Sequence, residues 1–156
     1  MSSSLPPQHI LRQLDLQSDK SYLTTEELTN LGRYVSGLSE RVRIYRQLRE
    51  QEVDLMQNVV DGLPADLKES TFSLDQSIRQ AILILRYAAL GMLVNDANLG
   101  KRRLEGWLPT MVEVYQTQSI DVLLHRALNQ QLPTLLTASQ VALLQPSLES
   151  AQQLLF

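Results

Sequence analysis

From Ala81 to Val94 the chain runs 14 residues with a single charge, Arg86. A helix that is apolar nearly all the way round needs neighbours on every side, so this stretch predicts a buried helix at the centre of a helical globule. At that length, and with an arginine inside it, the segment is too short to span a bilayer. The helix is expected over Leu74 to about Val94, opened by a capping box of Ser73 with Gln76. With 156 residues the chain can bury a substantial core as a single domain.

The rest of the sequence repeats the helical period and shows no β-branched alternation. A short helix is predicted over His9–Leu16, after Pro6 and Pro7. Thr24 with Glu27 forms another capping box. Beyond it, apolar residues recur at Leu28, Leu31, Val35, Leu38, Val42, Tyr45 and Leu48, then at Val53, Met56, Val60 and Leu63. This stripe reads as the core face of packed helices and not as a coiled-coil seam, because Gly37 and Arg49 interrupt it. Gly37 is expected to divide the helix into two or three segments, and Gly62 with Pro64 to end it. Further helices are predicted over 101–107, 109–116, 120–131 and 138–155, with Pro133 and Pro146 interrupting or bending the last two. That makes seven or eight helices, in a domain spanning 1–156 with an N-terminal arm over 1–23 and a body over 24–156.

Composition narrows the chemistry. The chain has no cysteine, which excludes disulfides, thiolate metal sites, cysteine nucleophiles and thioether-bound cofactors. A net charge of −3 argues against general nucleic-acid affinity. Lys101, Arg102 and Arg103 read as a solvated run, as do Arg41, Arg43, Arg46 and Arg49 among Glu40, Glu50 and Glu52. The two histidines, His9 and His125, lack metal-ligand spacing. No nucleophile–base pair or phosphate loop appears. Binding of other proteins is expected, not catalysis, with no cofactor and no metal.

Three blocks carry a family resemblance. Ser77-Ile78-Arg79-Gln80, then Leu85-Arg86-Tyr87, then Asn95-Asp96, resemble the Cys-x-Arg-Asp, Leu-Arg-Tyr and Gly-Asp pattern of phycobiliproteins such as the allophycocyanin and phycocyanin subunits. Tyr22 to Leu28 is similar to that family's entry into its second helix, and Ser36 to Ile44 to its Ser-Gly-x-x-Arg-x-Arg turn. Val112 to Tyr115 is a weaker match to its Arg-Glu-x-Tyr. The resemblance covers roughly residues 8 to 120. It implies an all-α, globin-like fold preceded by N-terminal helices used for pairing.

The departures bear on function. The family attaches a linear tetrapyrrole through the cysteine whose place Ser77 takes, and a hydroxyl forms no thioether. The aspartate that holds the pyrrole nitrogens is matched by the neutral Gln80, whereas Arg79 matches the propionate-binding arginine. The segment that roofs the family's pocket is shortened to 64–73. Ser77, Arg79 and Gln80 are therefore expected to mark a vestigial pocket. Tyr22, Arg86 and Asp96 match residues that pair across the family's subunit interface, and they are the candidate docking face. The resemblance implies a cyanobacterial protein on the cytoplasmic face of the thylakoid, peripheral to the membrane. Its expected role is that of an interaction, scaffold or assembly factor. The expected partners are phycobiliprotein or photosystem subunits, or a second copy. The alternative is a non-covalent tetrapyrrole carrier or sensor that holds a propionate with Arg79.

Overall fold

A computed structural model describes residues 23–69 and 71–156. The helix expected over His9–Leu16, and Tyr22 of the docking face, lie outside the described residues. Among those described there are six α-helices and no strand: α1 Thr25–Asp61, α2 Thr71–Leu93, α3 Leu99–Leu104, α4 Leu108–Tyr115, α5 Gln118–Leu135 and α6 Ala138–Gln152. A 3-10 turn, Leu67–Glu69, leads into α2. No helix among them is long and apolar enough to cross a membrane.

The predicted capping box opens α1. Glu27 N–H donates to Thr24 Oγ1 at 3.2 Å, and Thr24 N–H donates to Glu27 Oε2 at 2.6 Å. The division expected at Gly37 is absent, and α1 runs for 37 residues without interruption, about 55 Å. One glycine costs a helix only about 1 kcal/mol, which the flanking turns supply. Arg41 lies over Gly37, its guanidinium 3.5 Å from where a Cβ would stand, and reaches on to Asn95 Oδ1 at 3.2 Å.

The stripe is placed differently from the prediction. Leu48, Met56 and Leu63 of the predicted stripe are buried, joined by Ile44, Leu55 and Val59, whereas Leu28, Val35 and Val53 are exposed. The reason is geometric. At 100° per residue, Leu28, Val35 and Val53 stand about 150° round the helix from the buried face, so they point away from the body.

The central helix meets the expectation. α2 touches each of the other five helices, and Ala81, Ile84, Leu85, Ala88, Ala89 and Met92 are all buried. It begins at Thr71, however, which places Ser73 inside the first turn and not at a cap. Its far end is a Schellman closure. Asp96 N–H donates to Gly91 O at 2.8 Å and Asn95 N–H to Met92 O at 3.1 Å, with Asn95 left-handed at φ 56°. Asparagine tolerates that conformation better than most residues.

The prolines leave α5 and α6 unbroken, since Pro133 and Pro146 both lie inside them. A capping box that the sequence reading passed over, Thr137 with Gln140, opens α6. There α2 and α6 meet closely: a Cβ on Gly91 would stand 2.7 Å from the Asp96 carbonyl oxygen and 3.2 Å from Ser147 Oγ.

Two substitutions test this packing. Leu85→Ala should lower unfolding free energy by about 2–5 kcal/mol through lost burial and a cavity. Gly91→Ala should cost about 1–3 kcal/mol, because the backbone oxygen in its way must move. Urea denaturation read by circular dichroism measures both, and a loss below about 0.5 kcal/mol in either contradicts the packing described.

Candidate functional site

Ser77 and Gln80 stand on the face of α2 that turns toward α5, and both are buried. Opposite them, Thr117 occupies the N-cap position of α5, with Asp121 one turn on and His125 one turn further. The Thr117 hydroxyl does not cap its helix. It donates to Asp121 Oδ2 at 2.7 Å, and Ser77 Oγ donates to Asp121 Oδ1 at 2.7 Å. Gln80 Oε1 lies 3.4 Å from the same Thr117 hydroxyl. A hydroxyl carries one proton and the carboxylate is the stronger acceptor, so the contact with Gln80 is the weaker of the two. The result is a polar cluster that ties α2 to α5 inside the core, with Gln80 Nε2 left without a hydrogen-bond partner among the described residues.

Asp121 is fully buried, and hydroxyls, not cations, are its partners. Burial pushes its carboxyl above the usual carboxylate range, opposed by the hydrogen bonds from Ser77 and Thr117. His125 is buried too, and Gln152 Nε2 donates to its Nδ1 at 3.0 Å. That fixes Nδ1 as the acceptor and places the proton of the neutral ring on Nε2. Burial lowers the imidazole pKa to about 4. Gln152 also donates to Asn129 Oδ1 at 3.1 Å, joining α5 to α6.

Arg79, the third residue of the expected pocket, is exposed on α2. Ser77 and Gln80 thus face the interior while Arg79 faces solvent, and the three are not brought around one cavity. A groove of about 600 Å³ lined by Val112, Glu113, Gln116 and Phe156 includes none of them.

Of the docking candidates, Arg86 and Asp96 lie at the surface. Arg86 is not buried in an apolar surround: its side chain is 47% exposed. Its carboxylate partner is Glu52 of the same chain, on α1. Arg86 Nε donates to Glu52 Oε1 at 2.7 Å and Nη2 to Oε2 at 2.9 Å. Asp96 sits in the turn after α2 and is bridged by both terminal nitrogens of Arg102, with Asn98 N–H donating to Oδ1 at 3.2 Å. The Arg102 hydrogen bonds hold its carboxyl below the usual carboxylate range, against partial burial that raises it. Arg102 therefore belongs to an ion pair and not to a merely solvated run.

Four residues escaped the sequence reading. Asp121 looks like an ordinary acid in the first turn of a helix, and nothing local ties it to Ser77, 44 positions away. Thr117 gives no signal because its hydroxyl leaves the cap role. Glu52 was read within a solvated face, and Gln152 carries no charge to mark it.

The sequence profile of the phycobilisome protein family matches residues 10–154. No curated protein matches the chain.

Burial of His125 predicts a pH dependence. Its folded pKa lies below the unfolded value of 6.5, so its contribution is intact above pH 6.5. That contribution is lost progressively as pH falls toward about 4. Asp121 runs the opposite way: its raised pKa makes its burial cost greatest at high pH and relieves that cost as pH falls. From pH 7 to pH 5 the histidine alone should remove about 2 kcal/mol. Denaturant midpoints across this range should fall for the natural chain, and His125→Gln should flatten the slope. An equal slope in both proteins contradicts a buried neutral imidazole.

Proposed function

The chain belongs to the phycobilisome protein family, and from that premise we propose that it acts as a chromophore-free member that binds other proteins. The reading makes it a scaffold or assembly factor of the photosynthetic apparatus, at the cytoplasmic face of the thylakoid, with phycobiliprotein or photosystem subunits as partners. Binding and not catalysis is its proposed activity.

One observation carries the chromophore-free part. Ser77, at the position matching the family's attachment cysteine, is fully buried, and its hydroxyl is hydrogen-bonded to Asp121. Bilin attachment would need a thiolate open to a pocket. Here the side chain is an alcohol and the adjoining space is filled by Thr117, Gln80 and Asp121. With Arg79 turned to solvent, no pair of polar groups remains to clasp a tetrapyrrole from within.

The docking part rests on Arg86 and Asp96. A guanidinium has five N–H donors, and Glu52 engages two of them, leaving an edge open at a partly exposed position. A carboxylate of another chain fits that edge in the bidentate geometry arginine favours. Asp96 is saturated by Arg102 and Asn98, so its part in docking is to fix the Arg102 guanidinium in place.

Co-expression with bilin synthesis, acid denaturation and zinc-enhanced fluorescence on a gel test the first part. No covalent pigment band is expected; a retained band overturns the reading, and pigment released by acid points to a non-covalent carrier. Capture of phycobiliprotein and photosystem subunits from thylakoid extract tests the second. Arg86→Ala and Asp96→Ala should each weaken it at least tenfold while shifting the unfolding free energy by no more than about 1 kcal/mol. Normal capture by both variants contradicts the docking face.

A further inference from the structure

α1 carries two apolar faces. One, through Ile44, Leu48, Leu55 and Val59, is buried in the body. The other runs through Leu28, Leu31, Val35, Leu38 and Val42, about 130° further round the helix at 100° per residue. Leu28 is 55% exposed and Val35 56% exposed, and the other three are half-buried. A shallow groove of about 700 Å³ lies on this second face, lined by Val35, Leu38 and Val42 and edged by Arg43, Arg46 and Glu50. We propose that a second copy of the chain occupies it, the two α1 helices packing antiparallel about a two-fold axis that passes between Ser36 and Gly37.

Two features select a second copy in this orientation. The first is spacing. With Tyr45 included, the stripe advances by three, four, three, four and three residues, and so reads the same in either direction. An isologous pair requires this, since each contact must occur twice. Leu28 then meets Tyr45 of its partner, Leu31 meets Val42, and Val35 meets Leu38, which is the layered packing of a two-helix seam.

The second feature is charge. The first turn of α1 is acidic, with Glu26 and Glu27. The stretch beyond the axis is net basic, with Arg41, Arg43, Arg46 and Arg49 against Glu40 and Glu50, although Arg43 already pairs with Glu40. Antiparallel pairing lays the acidic start of each helix beside the basic stretch of its partner, with Glu27 level with Arg46. Parallel pairing sets like charges side by side. Gly32 and Ser39 on one flank leave room for the backbones to approach, and a Cβ at Gly32 would meet nothing within 4 Å.

The seam spans 18 positions, Leu28 to Tyr45, about 27 Å, which places it among small, reversible interfaces. The inference does not depend on the docking face above, because neither Arg86 nor Asp96 lies on α1.

Analytical ultracentrifugation of the full chain from about 1 to 500 µM tests it. A concentration-dependent monomer–dimer equilibrium is expected, and Val35→Glu, which sets a carboxylate into the seam twice, should weaken it at least tenfold. At concentrations where the natural chain is monomeric its thermal midpoint should not change, because Val35 is exposed in the single chain. A nitroxide on Thr29→Cys, in a chain with no other cysteine, reads the direction. The antiparallel register separates the two labels by about 22 Å along the helix axis, whereas a parallel pair sets them level, separated only across the pair, and so gives the shorter distance. Monomer throughout, an unaffected Val35→Glu dimer, or the short distance each overturns the proposal. So does a Val35→Glu chain whose thermal midpoint collapses, which would mean that residues 1–22 of the same chain cover the stripe.

Discussion

The burial of α2 on all sides sets where everything else can go. Because α2 touches every other helix, the others are arranged as a shell about it, and each must present an apolar or small surface at its crossing. Gly91 and Gly100 answer this need where α2 and α3 approach α6, and a Cβ on Gly100 would stand 3.3 Å from that of Ala151. Where α2 meets α5 the shell is not apolar. There Ser77 and Asp121 face each other, and the hydrogen bonds of Asp121 to Ser77 and Thr117 make a buried carboxylate tolerable.

That polar crossing gives the family position its meaning. A helix whose attachment residue opens on a pocket can present a thiol to a pigment. Ser77, which the sequence resemblance sets at that position, is instead a hydrogen-bonded contact between two helices. Inside, Ser77, Gln80 and Thr117 are neutral, Asp121 is hydroxyl-bound with burial raising its pKa, and burial lowers that of His125. The charged groups, Arg86 with Glu52 and Asp96 with Arg102, stay where water reaches them.

Much of the fold was legible because it follows from local rules. The 14-residue apolar run announced α2, the Thr24–Glu27 box announced α1, and a family pattern over the first two-thirds announced the architecture. The errors arose where the rule was local and the cause was not. Ser73–Gln76 has the spelling of a cap, yet the helix begins two residues earlier. Gly37 has the spelling of a bend, yet intact turns on either side carry the helix through. The α1 stripe has the period of a core face, but period alone does not say whether a body lies opposite. The Ser77–Asp121 bond links residues 44 apart through neutral and acidic side chains that are common everywhere, so only the fold could join them.

The central claim, that the family's attachment position is closed inside the core, can be read with one thiol. Ser77→Cys gives a chain with a single cysteine, and its reaction with a thiol reagent such as Ellman's reagent can be timed in native buffer and in denaturant. Closure predicts reaction at least a hundredfold slower in the native protein than after unfolding. Native labelling as fast as that of a thiol placed at the exposed Thr29 would show an open pocket at Ser77 and contradict the account.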